Sequence, residues 1–161
     1  MHLTISSFLS QIENDENHRF TSWENCFKTF QETEDRELLA LHLAFYLASW
    51  GMYRGSSGLL QKNHKIHNKA VDIILDYKHL QCSHLNEVAK SNINDIINLV
   101  TDLEKHYDSI QFQRNTRKLL INPTITLTTK IIMGTLGCLP AMDRYFIKGV
   151  KEKGFNINTL S

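Results

Sequence analysis

Four histidines and one cysteine, residues that commonly bind zinc, lie within residues 64–84. A tetrahedral zinc site needs four such ligands, and two residues three apart share one face of a helix. His64 and His67 have that spacing, and His79, Cys82 or His84 would complete the set. Ordinary solvated histidines are the alternative interpretation. We assign no metal or cofactor and keep a zinc-supported helical domain as an alternative.

Phosphate binding is a second chemistry that the composition allows, at two glycine-rich stretches. In the first, RGSSG at 54–58, amides and hydroxyls would hold a phosphate together with Arg54. The second, 134–137, is a turn whose amides can approach a phosphate because glycine has no side chain. For the first stretch, the apolar spacing that runs on to Leu59 and Leu60 favours a structural alternative. That alternative is a small-residue stripe on a long helix, formed by Ala44, Ala48, Gly51 and Gly55.

Other catalytic signatures are missing from the sequence. It contains no phosphate-binding lysine loop, dinucleotide fingerprint, paired-histidine metalloprotease motif or serine nucleophile elbow. We interpret His42 as a core histidine bonded to a backbone carbonyl. The three cysteines, Cys26, Cys82 and Cys138, are odd in number and far apart, which predicts buried reduced thiols and a cytoplasmic location.

The elements that must position these residues are predicted to be helices. Apolar residues recur every three or four positions in 20–30, 70–77 and 93–110, and a long apolar stretch, 38–53, is too short and interrupted to span a membrane. Thr21 with Glu24 has the spacing of a capping box, and Asp35 is a plausible N-cap. Because strand-like alternation never persists, we predict one compact all-α domain of about seven or eight helices.

The C-terminal quarter, about 114–153, is predicted to contain a helix-turn-helix or hairpin-like unit. After Pro123, Thr124 or Thr126 caps a helix that Gly134 and Gly137 end. A second helix, about 141–152, would accept Pro140 and Asp143 in its first turn, the latter favoured by the helix dipole. Its inward side chains would be Met142, Tyr145, Phe146 and Val150, followed by a loose tail at 154–161.

Charge is distributed unevenly along the chain, although the net charge is only +1. Residues 1–37 hold eight acidic and three basic side chains, whereas residues 114–153 hold eight basic and two acidic ones. A local basic excess of this size attracts phosphates, and a solvated helix face is the alternative explanation. The acidic and basic ends would also be able to meet in a homodimer or bind a protein partner.

The segment 130-KIIMGTLGCLPAMDRYF-146 places a lysine-bearing helix and a short turn before a proline, an aspartate and an aromatic pair. It resembles the core of the helix-hairpin-helix DNA glycosylase superfamily and its uncharacterised bacterial relatives. The resemblance implies a helical domain that binds the DNA backbone through a glycine-rich hairpin and flips out a damaged base. It implies Asp143 as the catalytic carboxylate and Lys130 as a nucleophile that forms a Schiff base.

We therefore expect a DNA-binding helical protein that acts as a glycosylase-like, base-processing enzyme. Trp50, Tyr53 or Tyr145 would stack on an extruded base, with core packing as the alternative. A non-enzymatic helical interaction module is the competing hypothesis. The residues expected to contact nucleic acid are Gly134, Gly137, Arg144, Lys148, Lys151, Arg114 and Arg117.

Overall fold

The computed structural model describes residues 6–155 apart from 8, 9, 11, 16, 55, 56 and 83–91. Within these residues the chain is mostly helical and carries one small antiparallel hairpin. Six α-helices are described over their whole length: α1 Thr21–Glu32, α2 Arg36–Ser49, α3 Asn68–Asp76, α4 Ile93–Asp108, α5 Ile125–Thr135 and α6 Arg144–Glu152. Short 3-10 turns occupy Leu59–Gln61, His64–His67 and Lys78–Leu80. The prediction of a mostly helical chain is confirmed, but the hairpin shows that it is not all-α, and six complete helices are described where seven or eight were predicted.

A β-hairpin replaces helix at the start of the basic C-terminal quarter. Its strands are β1, Gln111–Arg114, and β2, Arg117–Leu120, joined through Asn115 at a φ of 56°. Asparagine tolerates this left-handed conformation better than most residues do. Each strand has only four residues, too few for alternation to stand out against the helical spacing around them.

Helix α2 lies at the centre of the fold, against α1, α3 and α5. Its Leu39, Leu43 and Leu47 are fully buried. Two polar side chains reinforce the packing through hydrogen bonds. Trp23 Nε1 donates to the Met133 carbonyl at 3.1 Å, and the hydroxyl of Tyr46 donates to a carbonyl of α5 at 3.1 Å. The core therefore links the N-terminal helices to α5, which carries the candidate catalytic lysine.

Helix boundaries follow local capping. The predicted Asp35 cap is confirmed, since its carboxylate accepts the amides of Glu37 and Leu38. The capping box at Thr21 is wrong, because the Thr21 hydroxyl donates to the His18 carbonyl instead. Helix α2 ends at Ser49, so Gly51, at a φ of 73°, follows the helix. The small-residue stripe is therefore wrong, and Gly55 lies outside the described residues.

The last two helices differ from the predicted pair. Thr124 caps α5 as expected, but Gly134 lies inside that helix, and only Gly137, at a φ of 69°, follows its end. Helix α6 begins at Arg144 rather than near 141, and Pro140 lies outside it. No residue of α6 is buried, so the predicted inward apolar face is wrong. Of the tail, residues 156–161 lie outside the described part.

None of the helices described here combines the length and the apolar character needed to cross a bilayer.

Candidate functional site

A cleft of about 380 Å³ lies between the end of α2, the segment that follows it, α5 and the beginning of α6. It brings together the two residues expected to be catalytic, Lys130 from α5 and Asp143 from the start of α6. The other lining residues are Trp50, Gly51, Met52, Arg54, Thr126, Arg144 and Tyr145. The site is therefore assembled from two parts of the chain separated by more than seventy residues.

Lys130 is held with its side chain 7% exposed. Its Nζ donates to the Trp50 carbonyl at 3.0 Å and lies 5.6 Å from the centre of the Trp50 ring. Burial lowers the pKa of Lys130, the charge of Asp143 opposes this, and Arg54 and Arg19 lower it further. A lowered pKa increases the fraction of uncharged amine, which is the nucleophilic form.

Asp143 is the N-cap of α6. One carboxylate oxygen, Oδ1, accepts the amides of Tyr145 and Phe146, each at 3.0 Å. This arrangement satisfies amides at the helix start and places negative charge at the positive end of its dipole. The cap uses Oδ1, so the structural role leaves the second oxygen, Oδ2, outside this pair of hydrogen bonds.

Two threonines of α5 fix the approach to Asp143. The Thr126 hydroxyl donates to the Met142 carbonyl at 3.0 Å, and the Thr129 hydroxyl accepts the Met142 amide at 2.9 Å. Because Met142 directly precedes Asp143, these bonds hold the carboxylate on the same side of the fold as Lys130. The position of Asp143 in the cleft therefore depends on hydrogen bonds between two threonine side chains and the Met142 backbone, rather than on an ion pair between Lys130 and Asp143.

Arginines from two elements make the cleft cationic. Arg54 is exposed and follows the end of α2, while Arg144 is exposed at the start of α6. The Arg144 guanidinium lies 4.7 Å from the ring centre of Tyr145 and donates to its hydroxyl. With Lys130, three basic groups and one carboxylate line the cleft, an arrangement that attracts an anionic ligand.

The two glycines expected to approach phosphate both lie against aromatic rings. Gly134 is buried, and a Cβ there would collide with the Tyr46 ring. At Gly137 a Cβ would lie 2.9 Å from Cε2 of Phe27. Both positions require glycine because aromatic rings approach their backbones. The structure gives Gly134 no surface on which to contact nucleic acid.

The remaining predicted nucleic-acid contacts lie outside the cleft. Arg114 and Arg117 face each other across the hairpin tip, and both are exposed. Lys148 and Lys151 are exposed on α6, where Lys148 pairs with Glu152 at 3.8 Å. These side chains make the surface basic, but they do not converge with Lys130.

The histidines of the proposed zinc cluster have separate partners. His64 pairs with Glu37 at 2.6 Å, and His79 pairs with Asp95 at 3.1 Å. His67 is fully buried, with its Nε2 2.7 Å from the Tyr53 hydroxyl and its Nδ1 2.6 Å from that of Tyr107. Across the described ranges no three His, Cys, Asp or Glu side chains are arranged to hold a metal ion, and His84 lies outside them.

Two further expectations concern single side chains. His42 is half-buried and its Nδ1 lies 3.3 Å from the Thr29 hydroxyl, so the predicted carbonyl partner is wrong. None of the three cysteines, all of which lie within the described residues, forms a disulfide, and burial raises the pKa of Cys138 to about 11 and that of Cys26 further. These two thiols are therefore poor nucleophiles, as expected for small buried apolar residues.

Sequence reasoning missed parts of this site. It proposed Arg54 only as part of a local loop and did not include Thr126 or Met52. Nothing in local spacing connects residue 54 with residue 130, because their proximity depends on the packing of α2 against α5. The glycine-rich RGSSG stretch was the one available signal for Arg54.

No family model, curated protein or solved structure gives a significant match to this chain.

Proposed function

We propose that the protein binds DNA and that the Lys130–Asp143 cleft processes a nucleotide of the bound strand in the manner of a glycosylase. The proposal depends on one observation: a buried lysine with a lowered pKa shares a cationic cleft with an aspartate. A buried nucleophile beside a carboxylate and two arginines suits a substrate that carries phosphates and develops positive charge during reaction.

The charges that line the cleft indicate the kind of ligand it would bind. Arg54 and Arg144 at the cleft, together with Lys130, favour an anion over a neutral metabolite. The basic side chains of α6 and of the hairpin tip supply additional sites for backbone phosphates. Contacts of this kind give affinity without sequence preference and weaken as salt rises.

In the reaction we propose, the uncharged Lys130 amine attacks C1′ of an extruded nucleotide. The glycosidic bond breaks, its electron pair leaves with the base, and the base takes up a proton from water. The attacking nitrogen releases one proton to water, and opening of the sugar ring leaves a protonated imine at C1′ as O4′ gains a proton from water. Asp143 stabilises the positive charge that develops on the sugar.

Aromatic side chains at the cleft support an unstacked base as the ligand. Trp50 and Tyr145 both line the cleft, and Tyr145 is 68% exposed. Stacking of a base on an aromatic ring is worth roughly 1–3 kcal/mol, which offsets part of the cost of removing the base from its helix.

Binding is tested by titrating labelled duplex and single-stranded DNA at two salt concentrations. We expect affinity to fall steeply with salt, and the Lys148→Ala/Lys151→Ala pair to bind more weakly than wild type. The matched control is Lys28→Ala/Lys105→Ala, which removes the same charge from exposed lysines of α1 and α4. Absence of binding by wild type at low salt would refute the proposal.

Chemistry is tested by borohydride trapping on duplexes that carry modified bases or abasic sites. Reduction of the imine would link DNA covalently to wild type but not to Lys130→Met. Asp143→Asn should retain DNA binding and lose base release, because asparagine still caps a helix but carries no charge. If Lys130→Met were trapped as efficiently as wild type, Lys130 would not be the nucleophile.

A non-enzymatic interaction protein is the second candidate, and the surface of α6 favours it. Tyr145 and Phe155 are 68% and 67% exposed, and with Phe146 they border a largely apolar groove. An exposed patch of this type is often a protein contact. This function gains if wild type fails to bind DNA at low salt yet sediments as an oligomer that Phe155→Ser dissociates.

A further inference from the structure

Helix α2 exposes an apolar stripe on the side opposite the core. Leu38, Leu41 and Phe45 are 39%, 50% and 60% exposed, and Ala48 completes the row. The intervals of three, four and three are those of the a and d positions in a helix that packs against another helix. The same helix buries its other face completely, so it is apolar all round, which is typical of a helix covered on both sides.

Charge helps to identify what covers the stripe. Between Leu38 and Ser49 the helix contains no Lys, Arg, Asp or Glu, and His42 is its only ionisable side chain apart from Tyr46, which is buried. Nucleic acid and anionic lipid surfaces require cations that this face lacks. A second apolar helix face is the complementary surface, and an identical α2 supplies it with no charge buried on either side.

The two ends of α2 lie among charges of opposite sign. This difference favours one relative orientation of two paired α2 helices. Around its beginning, four carboxylates, Glu34, Asp35, Glu37 and Asp72, outnumber three cationic side chains, Arg36, Lys65 and Lys78. Around its end lie Arg54, Lys130 and Arg144 with the single carboxylate of Asp143. Parallel pairing would place like charges together, whereas antiparallel pairing places the acidic end of each copy toward the basic end of the other.

We propose that the protein forms a two-fold symmetric dimer in which the exposed stripes of two α2 helices pack antiparallel. Leu41 of each copy then lies against Phe45 of the other, and Leu38 against Ala48. A stable interface of ordinary size covers about 800 Å² on each partner, so the stripe forms its centre and polar neighbours such as Glu37 and His42 form its rim. No residue of the stripe lines the cleft, so substitutions in the stripe test the dimer without changing the residues proposed to bind DNA.

Sedimentation equilibrium tests the dimer. Wild type should have twice the chain mass of 18.7 kDa at micromolar concentration. Leu41→Glu and Phe45→Glu should each raise the dimer dissociation constant by at least about a hundredfold, because an unpaired charge would replace a central apolar contact. The matched control is Ile97→Glu on α4, a position 56% exposed that lies outside the stripe. Circular dichroism checks that every variant folds.

Orientation is tested by mixing two cysteine variants, each made in a Cys82→Ser background. Leu41→Cys mixed with Phe45→Cys should form an intermolecular disulfide more completely than either variant alone. A monomeric wild type, or a dimer unaffected by both glutamate substitutions, would overturn the interface. More efficient self-linking of Leu41→Cys than mixed linking would overturn the antiparallel arrangement.

Discussion

Lowering the pH from 7.5 to 5 is expected to destabilise the fold by about 2 kcal/mol through His67 alone. His67 is fully buried, and its two ring nitrogens contact the hydroxyls of Tyr53 and Tyr107. A neutral imidazole has one donor and one acceptor, so one tyrosine donates to it and the other accepts from it. Protonation would place a charge in this site and force both nitrogens to donate.

The size of this loss of stability follows from the pKa of His67 in the folded and in the unfolded protein. Burial, aided by His106 and His64, lowers the pKa of His67 from 6.5 to about 3 in the folded protein. Because the unfolded chain binds the proton more readily, stability is fully present above pH 6.5 and falls as the pH drops toward 3. The loss reaches about 2 kcal/mol at pH 5 and about 5 kcal/mol below pH 3.

Urea unfolding followed by circular dichroism at pH 7.5 and pH 5 measures this effect. Other groups also titrate over this range, including His106, whose pKa is lowered by burial. The comparison is therefore made with His67→Gln, which does not bind a proton and should show a pH-dependent loss smaller by about 2 kcal/mol. His42→Gln is the control, since it removes an imidazole without touching the tyrosines. An unchanged pH dependence in His67→Gln would refute the reasoning.

Three further stability predictions use the same unfolding assay at neutral pH. Gly134→Ala should cost roughly 1–3 kcal/mol, because its methyl group would collide with the Tyr46 ring. Gly149→Ala is the matched helical substitution in open space and should instead stabilise by up to about 1 kcal/mol, so equal effects at the two glycines would contradict the packing argument. Asp35→Ala should cost about 1 kcal/mol through loss of the α2 cap, and no change would show that the two amides are satisfied without it.

Helices with strong periodicity could be predicted from the sequence because their pattern extends over several turns. Helices α3 and α4 lie where the apolar spacing placed them. The end of α2 could not be predicted in the same way, since apolar residues continue to Leu59 and Leu60 after the helix has stopped. Leu59 is buried and Leu60 exposed, a distinction set by tertiary packing rather than by the sequence pattern.

Only those residues of the candidate site that lie near one another in the sequence could be grouped from the sequence alone. Lys130 and Asp143 lie near each other in the sequence, separated by the rest of α5 and the segment that connects it to α6. A resemblance confined to residues 130–146 therefore includes both. Arg54 and Trp50 reach the same cleft only because α2 packs against α5 and its end projects toward α6. Packing between distant parts of the chain cannot be predicted from the spacing of residue types along the sequence. The exposure of α6 was likewise unpredictable, since an amphipathic pattern shows an apolar face but not whether anything covers it.

The structural role of Asp143 is compatible with the proposed chemical role, because the two hydrogen bonds of the cap use only one carboxylate oxygen. The cap of α6 needs one acceptor, and Oδ1 provides it to both amides. The same two hydrogen bonds fix the carboxylate, so the residue that caps the helix is also positioned in the cleft that contains Lys130. Asparagine preserves the cap and removes the charge, whereas alanine removes both. Loss of activity in Asp143→Asn at unchanged stability would therefore require a chemical role, and loss only in Asp143→Ala would reduce the residue to a cap.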